Sequence, residues 1–354
     1  MMFARLQNVG NPLGKNFAIC FNGRLSEELS QTSAKVYRMG NVRLSRPWTV
    51  WSARAKLKKI LKASSFDAVV CHAMWPHLVF GPVVRGLKIP LVVWAHDAPE
   101  QLHWIDRVGM RIKPDLVIAN SAYTQSLWNR NYPEVACKVG YYPMPAPKSD
   151  APALVRQRLR ETIGASDATT VILIASRFET WKGHSLLFKA LSQLKDQVNW
   201  ECWVVGGAQR DHEKKTIESL KASAEEGQIA DRIRWLGSRS DVFDIMLASD
   251  IYCQPNLAPE PFGVVFLEAM HAQLAVITSN AGGPREFLDG ECGLLIEQGN
   301  LMQLTDGLAS LLQNPDRRRQ IGKSGKQRVD QMFDLDHNMA NLHGIFLELI
   351  GQKS

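Results

Sequence analysis

Cysteine is scarce and scattered in this sequence of 354 residues. The six cysteines form no Cys-x-x-Cys pair: Cys20, Cys71, Cys137, Cys202, Cys253 and Cys292. Zinc clusters and disulfide frameworks both depend on closely and regularly spaced cysteines, so the sequence indicates neither. We therefore expect a protein with reduced thiols, located in the cytoplasm.

Long apolar runs are also missing. No uninterrupted stretch approaches the roughly 18 residues that a membrane-spanning helix requires. The first residues carry no hydrophobic segment of the kind found in secretion signals, so we expect no signal peptide. Internal repeats and low-complexity tracts are not evident either. These features favour a globular cytoplasmic protein.

The composition supports a folded protein with an uneven charge. Apolar residues make up 45% of the chain and charged residues 22%, so a substantial core is available. Residues 1–150 contain 20 Lys and Arg against 9 Asp and Glu, whereas the remainder contains 22 against 26. A cationic first half suits nucleic acid, an anionic membrane surface or a phosphorylated substrate, and composition does not choose among them.

Short β-branched runs alternate with helix-length amphipathic segments along the whole chain, which predicts an α/β fold with parallel sheets. The predicted strands are 17–21, 67–71, 91–94, 116–119, 170–175, 201–206, 233–236, 251–254, 275–279 and 294–297. The predicted helices lie near 25–38, 50–63, 76–86, 121–129, 152–163, 183–197, 211–223, 240–248, 263–272 and 301–313. The pattern is that of doubly wound, Rossmann-like domains, whose ligands lie beyond the carboxyl ends of the strands.

A proline-rich segment interrupts this pattern between residues 142 and 150. It holds three prolines within six residues, which neither a helix nor a central strand accommodates. The segment is typical of a semi-rigid linker. It predicts a first domain over residues 1–148 and a second over 149–332, facing each other across a cleft that would be the place for a ligand.

The segment from Ser52 to Ser64 is a predicted amphipathic helix with many basic residues. Its apolar stripe consists of Ala53, Leu57, Ile60 and Leu61. Its basic residues elsewhere on the helix include Arg54, Lys58, Lys59 and Lys62. An ordinary surface helix is the simpler interpretation. The alternative is peripheral docking on an anionic membrane, where each nearby Lys or Arg adds about 1 kcal/mol and the upstream Trp48 and Trp51 would suit the interface.

The most informative stretch runs from Glu260 to Met270. Glu260 ends a proline-rich loop, Gly263 opens a predicted helix, and Glu268 lies in the second turn of that helix. A helix start presents unpaired N–H groups that attract phosphate oxygens. Two carboxylates beside an anion site suit a sugar nucleotide, because they can grip hydroxyl groups while amides and cations hold the diphosphate.

The required cations occur upstream, at the end of another predicted strand. Arg177 follows the strand 170–175, and Lys182 precedes the next predicted helix. Both should project from the carboxyl edge of the sheet that also carries the two glutamates. Arginine can hold phosphate oxygens in a two-pronged fork, while lysine acts as a mobile point charge.

These motifs resemble a known family. Glu260 and Glu268, with seven residues between them, match the E-x7-E signature of retaining GT-B glycosyltransferases. The donor domain of glycosyltransferase family 4 is similar to the stretches EPFGVVFLEAM, SNAGGPREFLDGECGLLI, SRFETWKGH, WVVGGAQ and RIRWLGSRSDV. The first half resembles the family more loosely, through FDAVVCH, LVVWAHD and DLVIANSAYTQ. The resemblance implies two Rossmann-like domains facing across a cleft.

The resemblance implies specific roles for the candidate residues. Arg177 and Lys182 would neutralise the donor's diphosphate as the glycosidic bond breaks. Glu260 would hydrogen-bond the transferred sugar, and Glu268 would accept from the ribose hydroxyls. His96, after a first-domain strand, would approach the sugar from the other side of the cleft. Backbone groups would line the rest of the donor: Phe262, Gly263 and Val264 at the phosphate and sugar, and Gly206, Gly207 and Leu236 beside the base.

The resemblance also implies the reaction. It is the transfer of a hexose from a UDP-, GDP- or ADP-sugar to a hydroxyl acceptor with retention, without metal or cofactor and with the leaving phosphate deprotonating the acceptor. The acceptor would be a sugar, a lipid-linked molecule or a small molecule. Residues 333–354 would form a helix that crosses back to the first domain, as in the family.

The beginning of the chain departs from the family pattern. The family normally starts with a strand, a Gly-Gly loop and a long helix, whereas only the turn-like segment from Asn8 to Gly14 precedes Phe17 here. About 30–50 residues of one βα unit therefore look absent, and we expect a first domain that is incomplete at its N-terminus.

Two other functions compete with the enzyme. The first is a non-catalytic or partner-dependent protein of the same fold that binds sugar nucleotides, favoured by the incomplete acceptor half. The second is a basic nucleic-acid binder, which the lack of any nucleic-acid motif disfavours.

Overall fold

The computed structural model describes residues 16–21, 24–32, 34–97, 102–143, 145–147, 149–197, 199–208 and 210–351. The chain forms two compact units. The first contains Met1–Pro145 together with Phe333–Ser354, and the second contains Ala146–Met332. The turn-like segment expected between Asn8 and Gly14 lies outside the described residues.

The described residues of the first unit form two parallel sheets. A four-stranded sheet has the order β3-β4-β5-β6, and β1 pairs separately with β2. The strands are β1 (Asn16–Ile19), β2 (Lys35–Arg38), β3 (Val69–His72), β4 (Leu91–Ala95), β5 (Leu116–Ala119) and β6 (Cys137–Val139). The helices before the second unit are α1 (Arg24–Ser30), α2 (Pro47–Ala63), α3 (Met74–Gly86), α4 (Trp104–Gly109) and α5 (Ala122–Asn131).

The second unit is built on one six-stranded parallel sheet with the order β12-β11-β10-β7-β8-β9. Its strands are β7 (Thr170–Ala175), β8 (Trp200–Val205), β9 (Ile233–Gly237), β10 (Ile251–Gln254), β11 (Ala275–Ser279) and β12 (Leu294–Ile296). Its helices are α6 (Pro152–Ile163), α7 (His184–Gln193), α8 (Asp211–Glu226), α9 (Val242–Ala248), α10 (Val264–His271), α11 (Leu301–Gln313) and α12 (Pro315–Met332). The sheet order reverses beside β7, the switch point at which doubly wound folds bind ligands.

Burial explains why the second unit forms a parallel sheet. Every residue of β7, β8, β10 and β11 is buried, which requires helices on both faces of the sheet. One core cluster joins these strands to α7, α8 and α11. The predicted α/β fold with Rossmann-like domains is therefore present in the structure.

The last helix, α13 (Leu335–Gly351), belongs to the first unit. The ring of Phe333 meets Tyr141 edge-on at 5.3 Å between ring centres. Lys138 on β6 forms an ion pair with Glu348 on α13. This helix therefore covers the end of the four-stranded sheet at β6.

Some predicted elements were wrong or missed. The helix predicted near 25–38 is divided into α1 and β2, because a turn follows Ser30 in which Thr32 bonds back to the carbonyl of Leu29. Besides β2, the elements absent from the prediction are β6, α4 and α12. The first two have three and six residues, too few for a periodic pattern to appear.

The cysteines and the apolar segments also bear on the expectations from the sequence. All six cysteines are free thiols. Among the described residues, no helix combines the length and the apolar character needed to cross a lipid bilayer.

Candidate active site

A carboxylate and an ammonium group meet at the carboxyl edge of the second unit's sheet. Lys182 Nζ lies 2.6 Å from Glu260 Oε2, and each side chain is only 12% exposed. Lys182 ends a 3-10 turn after β7, and Glu260 lies in the loop after β10. Because β7 and β10 are neighbouring parallel strands, both loops emerge at the same edge. This mostly buried ion pair is the centre of the candidate site.

Close backbone packing fixes the two loops. Gly282 has φ +78°, and a Cβ atom there would lie 2.1 Å from the carbonyl oxygen of Glu260. The next residue, Gly283, donates its N–H to that same carbonyl at 2.8 Å. Gly183, with φ +80°, would likewise place a Cβ only 1.9 Å from the carbonyl of Pro255. Only glycine allows the loops of β7, β10 and β11 to approach this closely.

Arg177 is placed differently from Lys182. Its side chain is 49% exposed, and its guanidinium lies 2.9 Å from Glu179 Oε1. The other oxygen of Glu179 accepts a hydrogen bond from Trp181 Nε1 at 2.9 Å. Lys182 Nζ lies over the Trp181 ring, 3.8 Å from the ring centre, in a cation–π contact. Glu179 and Trp181 thus hold both cations, a role that the sequence reasoning missed although both residues lie within the quoted stretch SRFETWKGH.

The other candidates in this loop and helix present backbone more than side chain. Phe262 is buried, and its ring packs edge-on against Phe287 at 5.8 Å. Gly263 precedes the first residue of α10, Val264, which is partly buried. Glu268 lies one turn further along α10 and is also partly buried. Glu268 is therefore carried by the helix whose amino end lies beside Glu260.

Gly206, Gly207 and Leu236 lie at the ends of the next two strands. Gly206 donates its N–H to Gly237 at 2.9 Å and sits so close to Ser176 that a Cβ would lie 2.3 Å from its carbonyl oxygen. Following the sheet order from β10 through β7 and β8 to β9, the candidates therefore form a row along one edge. Strands are spaced by about 4.8 Å, so this row spans about 15 Å.

His184, the first residue of α7, was also missed. It lies beneath the same edge, with Nε2 3.3 Å from Ser176 Oγ and its ring stacked 5.1 Å from Phe178. Burial, with a smaller effect from the charge of Lys182, lowers the pKa of His184 to about 4. A neutral imidazole therefore adds no third positive charge beside Arg177 and Lys182.

His96 belongs to the first unit, where it forms part of a row of rings. Its Nε2 lies 2.8 Å from His72 Nδ1, and its Nδ1 lies 2.5 Å from the hydroxyl of Tyr142. Asn120 donates to that hydroxyl at 3.2 Å. Burial lowers the pKa of His96 to about 4, and burial together with the charge of His96 lowers the pKa of His72 to about 3. Both imidazoles are neutral at physiological pH.

Comparison with known families matches both units of the chain. A sequence profile described as Glycosyltransferase Family 4 matches residues 18–141, and one described as Glycosyl transferases group 1 matches residues 155–328. Together the two profiles cover most of the chain, with one profile falling on each unit.

Three similar proteins are mannosyltransferases by name. The phosphatidyl-myo-inositol mannosyltransferase of Mycobacterium leprae is 32% identical over 164 residues, 45% of this chain and 41% of that protein. A GDP-mannose-dependent monoacylated alpha-(1-6)-phosphatidylinositol monomannoside mannosyltransferase of Corynebacterium glutamicum is 28% identical over 48% of this chain and 45% of that protein. A GDP-mannose-dependent alpha-(1-6)-phosphatidylinositol monomannoside mannosyltransferase of Mycolicibacterium smegmatis is 25% identical over 77% of this chain and 74% of that protein. The match spans less than half the length of the first two relatives.

Solved structures share the fold. HepE of Anabaena, solved with UDP and glucose, has a TM-score of 0.84 and 23% identity, covering 97% of this chain and 95% of that one. Sucrose-phosphate synthase from Thermosynechococcus elongatus has a TM-score of 0.77 and 18% identity, covering 99% and 92%. At these identities the likeness concerns the fold, and it confirms two Rossmann-like domains.

Proposed function

The chain belongs to glycosyltransferase family 4, the glycosyl transferases group 1, and on this premise we propose that it is a retaining, metal-independent hexosyltransferase. It would move a hexose from a nucleotide sugar to a hydroxyl group of a sugar, a lipid-linked molecule or a small molecule. One observation carries the proposal. The Lys182–Glu260 pair ends a row of candidate groups about as long as a nucleoside diphosphate sugar, at the edge where such folds bind ligands.

The row suggests how the donor lies on the second unit. The base occupies the ends of β8 and β9, beside Gly206, Gly207 and Leu236. The ribose hydroxyls donate to Glu268, and the diphosphate lies between the cations and the amino end of α10. The hexose reaches Glu260. Phe262, Gly263 and Val264 contribute backbone groups, consistent with the buried ring of Phe262.

The chemistry follows from charge. When the bond between the sugar carbon and the phosphate oxygen breaks, the diphosphate gains negative charge, which Lys182 and Arg177 stabilise. The acceptor oxygen bonds to the same face of the sugar carbon, and its proton passes to the departing phosphate oxygen. Preorganised groups of this kind supply a large share of catalysis in many enzymes. The role that the resemblance gives to His96 stays a prediction.

The names of similar proteins indicate which donors to test first. The names of two relatives specify GDP-mannose, and HepE was solved with UDP and UDP-glucose. GDP- and UDP-sugars come first, and we propose that the donor is a UDP-, GDP- or ADP-sugar. A thermal-shift screen of the three nucleotides and their sugars identifies it, because a ligand at 100 times its dissociation constant adds about 2.7 kcal/mol of stability.

Turnover decides between enzyme and binding protein. With the donor identified, release of nucleoside diphosphate is measured with and without a panel of hydroxyl acceptors. Transfer, or slow donor hydrolysis, that disappears in Glu260→Ala supports the enzyme. Tight donor binding with no turnover on any acceptor supports the alternative, a non-catalytic or partner-dependent protein that binds sugar nucleotides. No binding of any nucleotide or sugar nucleotide removes both.

We also propose that the enzyme contacts anionic membranes through helix α2. Trp48 and Trp51 are 63% and 68% exposed, which is costly for large aromatic rings in water. They share an exposed stripe of α2 with Lys58, Lys59 and Lys62, opposite the buried Val50, Ala53, Leu57 and Leu61. Arg54 is not part of this surface, because its guanidinium bonds the carbonyls of Leu78 and Val79. Exposed tryptophans beside lysines suit a membrane interface.

Vesicle flotation tests this contact. We expect the protein to float with vesicles containing phosphatidylglycerol and not with pure phosphatidylcholine, and to detach at high salt. Exchanging Lys58, Lys59 and Lys62 for Glu should abolish flotation, whereas Lys214→Glu and Lys215→Glu on the exposed part of α8 should not. Equal flotation of both charge-reversed proteins would remove the membrane proposal and leave the enzymatic one intact.

A further inference from the structure

Three buried polar residues form a line that ends at Glu260. Tyr252 and Gln254 on β10, and Asn256 just beyond it, occupy alternate positions, so their side chains share one face. None of the three is more than 2% exposed. The intervening Cys253 belongs to the apolar core on the opposite face. A polar line in the middle of a sheet must satisfy its hydrogen bonds internally.

The contacts run continuously from the strand to the carboxylate. The Tyr252 hydroxyl lies 2.8 Å from Gln254 Oε1 and 3.2 Å from the carbonyl oxygen of Ala175. Gln254 Nε2 donates to Asn256 Oδ1 at 2.9 Å. Asn256 Nδ2 then donates to Glu260 Oε2 at 3.3 Å, the same oxygen that pairs with Lys182. Each amide accepts on the strand side and donates on the Glu260 side.

The two ends of the line dictate this direction. A carboxylate accepts hydrogen bonds only, so Asn256 must turn its NH2 group to Glu260 and its oxygen to Gln254. Gln254 must then donate to that oxygen and turn its own oxygen to the Tyr252 hydroxyl, which can donate to it. The reverse order would set the oxygens of Asn256 and Glu260 against each other.

We infer that Tyr252, Gln254 and Asn256 are positioning residues that fix which oxygen of Glu260 receives the sugar. Lys182 and Asn256 both occupy Oε2, and no described residue pairs with Oε1. Oε1 is thus the oxygen left to accept from a sugar hydroxyl. The three residues act through Glu260 and do not touch the substrate. The inference rests on the proposed function and adds to it the residues that orient its central carboxylate.

Graded substitutions test the line. Asn256→Leu should lower kcat about 10- to 100-fold, the value of a hydrogen bond to a charged group. Gln254→Leu should lower it about 5- to 10-fold, and Tyr252→Phe about 2- to 5-fold, because polarisation fades along the chain of bonds. Binding of the nucleoside diphosphate without sugar should stay within about twofold of wild type, since the line reaches only Glu260.

A matched control separates positioning from folding. Thr278 Oγ1 donates to the main-chain carbonyl of Gln254 at 2.9 Å and is buried beside the line without belonging to it. Thr278→Val should therefore shift the thermal midpoint as much as Gln254→Leu while keeping kcat near wild type. If kcat falls equally in both variants, the line has only a structural role.

A change of chemistry gives a sharper test. In Asn256→Asp, an ionised carboxyl would face Glu260 Oε2, whereas a protonated one could donate to it. The titratable groups around it are Lys182 on the turn after β7, Glu260 itself and Tyr252 on β10, whose hydroxyl also feels the charge of Glu268 on α10. The rate of this variant relative to wild type should rise at least about 10-fold from pH 8 to pH 5.5. A ratio that stays flat with pH overturns the inference.

The outcomes separate this inference from the proposed function. Wild-type turnover that survives undiminished in Asn256→Leu and Gln254→Leu removes the positioning role only. If the wild type binds a sugar nucleotide without turnover, the measured quantity becomes the ratio of its affinity for the sugar nucleotide to its affinity for the nucleoside diphosphate. This ratio should fall most in Asn256→Leu, less in Gln254→Leu and least in Tyr252→Phe. If the wild type binds no sugar nucleotide, the proposed function fails and this inference fails with it.

Discussion

The two units handle titratable groups in opposite ways. In the second unit, the mostly buried side chains of Lys182 and Glu260 form an ion pair at 2.6 Å. In the first unit, His72, His96 and Tyr142 are mostly buried and hydrogen-bond one another in a row, and burial keeps them neutral. Burial raises the pKa of Tyr142 to about 12, as it lowers those of the two histidines.

The difference shows what each cluster is able to do. A charged pair can stabilise charge that appears during a reaction, because one member can turn to a ligand while the other holds hydroxyl groups. A neutral row of rings and hydroxyls offers hydrogen bonds and shape without a net charge. Under the proposed function, the charged pair would act on the anionic leaving group, and the neutral row would offer hydrogen bonds to uncharged hydroxyls.

Breaking the charged pair should have the largest effect. We expect Lys182→Met and Glu260→Gln each to lower kcat about 100- to 1,000-fold, since each removes a preorganised group at the reacting bond. The measurement is nucleoside diphosphate release at saturating donor. Lys189→Met, on the exposed side of α7, is the control and should leave kcat unchanged.

The double variant sharpens this prediction. Removing one member of a mostly buried pair leaves the other charge without compensation, which destabilises the protein. Combining Lys182→Met with Glu260→Gln should restore the unfolding transition toward wild type without restoring kcat. Recovery of activity together with stability would show that the pair only supports the fold.

Acid should destabilise the neutral cluster. The pKa of His96 is about 4 in the folded protein, lowered by burial from an ordinary value of 6.5. The unfolded state therefore binds more protons between these values, and the stability that the neutral ring contributes is complete above pH 6.5 and falls as the pH drops toward 4. Lowering the pH from 7 to 4.5 should reduce the free energy of unfolding of both wild type and His96→Asn. The reduction should be about 2–3 kcal/mol smaller in His96→Asn than in wild type. Urea unfolding at several pH values measures it, and parallel losses in both proteins would contradict it.

The same contrast explains how far the sequence predicts the fold. The strands predicted at 170–175, 251–254 and 275–279 agree in full with β7, β10 and β11, because continuous apolar runs mark buried parallel strands. In the first unit, the exposed and partly exposed residues of β2 carry no such run, and a helix was predicted across it. Short, half-exposed strands depend on tertiary contacts that local patterns do not contain.

The sequence predicts those features of the candidate site that follow from the positions of its residues after parallel strands. Glu260 and Lys182 follow neighbouring strands, so their shared edge could be inferred from the α/β pattern alone. The pairing of Arg177 with Glu179, two residues away, could not, because it depends on side-chain direction in an irregular turn. The polar line was visible as alternating Tyr252, Gln254 and Asn256, yet only the fold shows that it ends at Glu260.

Removing one hydroxyl should weaken the first unit moderately. Tyr142→Phe deletes the group that bonds both His96 and Asn120, leaving buried polar atoms without that partner. We expect a loss of about 1–2 kcal/mol in the free energy of unfolding. Tyr37→Phe, on β2 of the same unit, is the control and should change it by less than about 0.5 kcal/mol. Equal effects of the two substitutions would show that the Tyr142 hydroxyl is not a stabilising link.

The smallest effect on stability should come from the exposed Arg177–Glu179 ion pair, which differs in burial from the Lys182–Glu260 pair. Arg177 is half exposed, so solvent screens its pairing with Glu179, and Glu179→Gln should change the free energy of unfolding by less than about 1 kcal/mol. The same substitution frees Arg177 from a competing carboxylate, so the nucleoside diphosphate should bind equally well or up to about threefold more tightly. Calorimetric titration measures the affinity, with Asp241→Asn, which frees the exposed Arg239, as the matched control. Weaker binding in Glu179→Gln, with no change in Asp241→Asn, would mean that Glu179 orients the guanidinium of Arg177. Arg177 would then need its carboxylate partner Glu179 just as Lys182 needs Glu260.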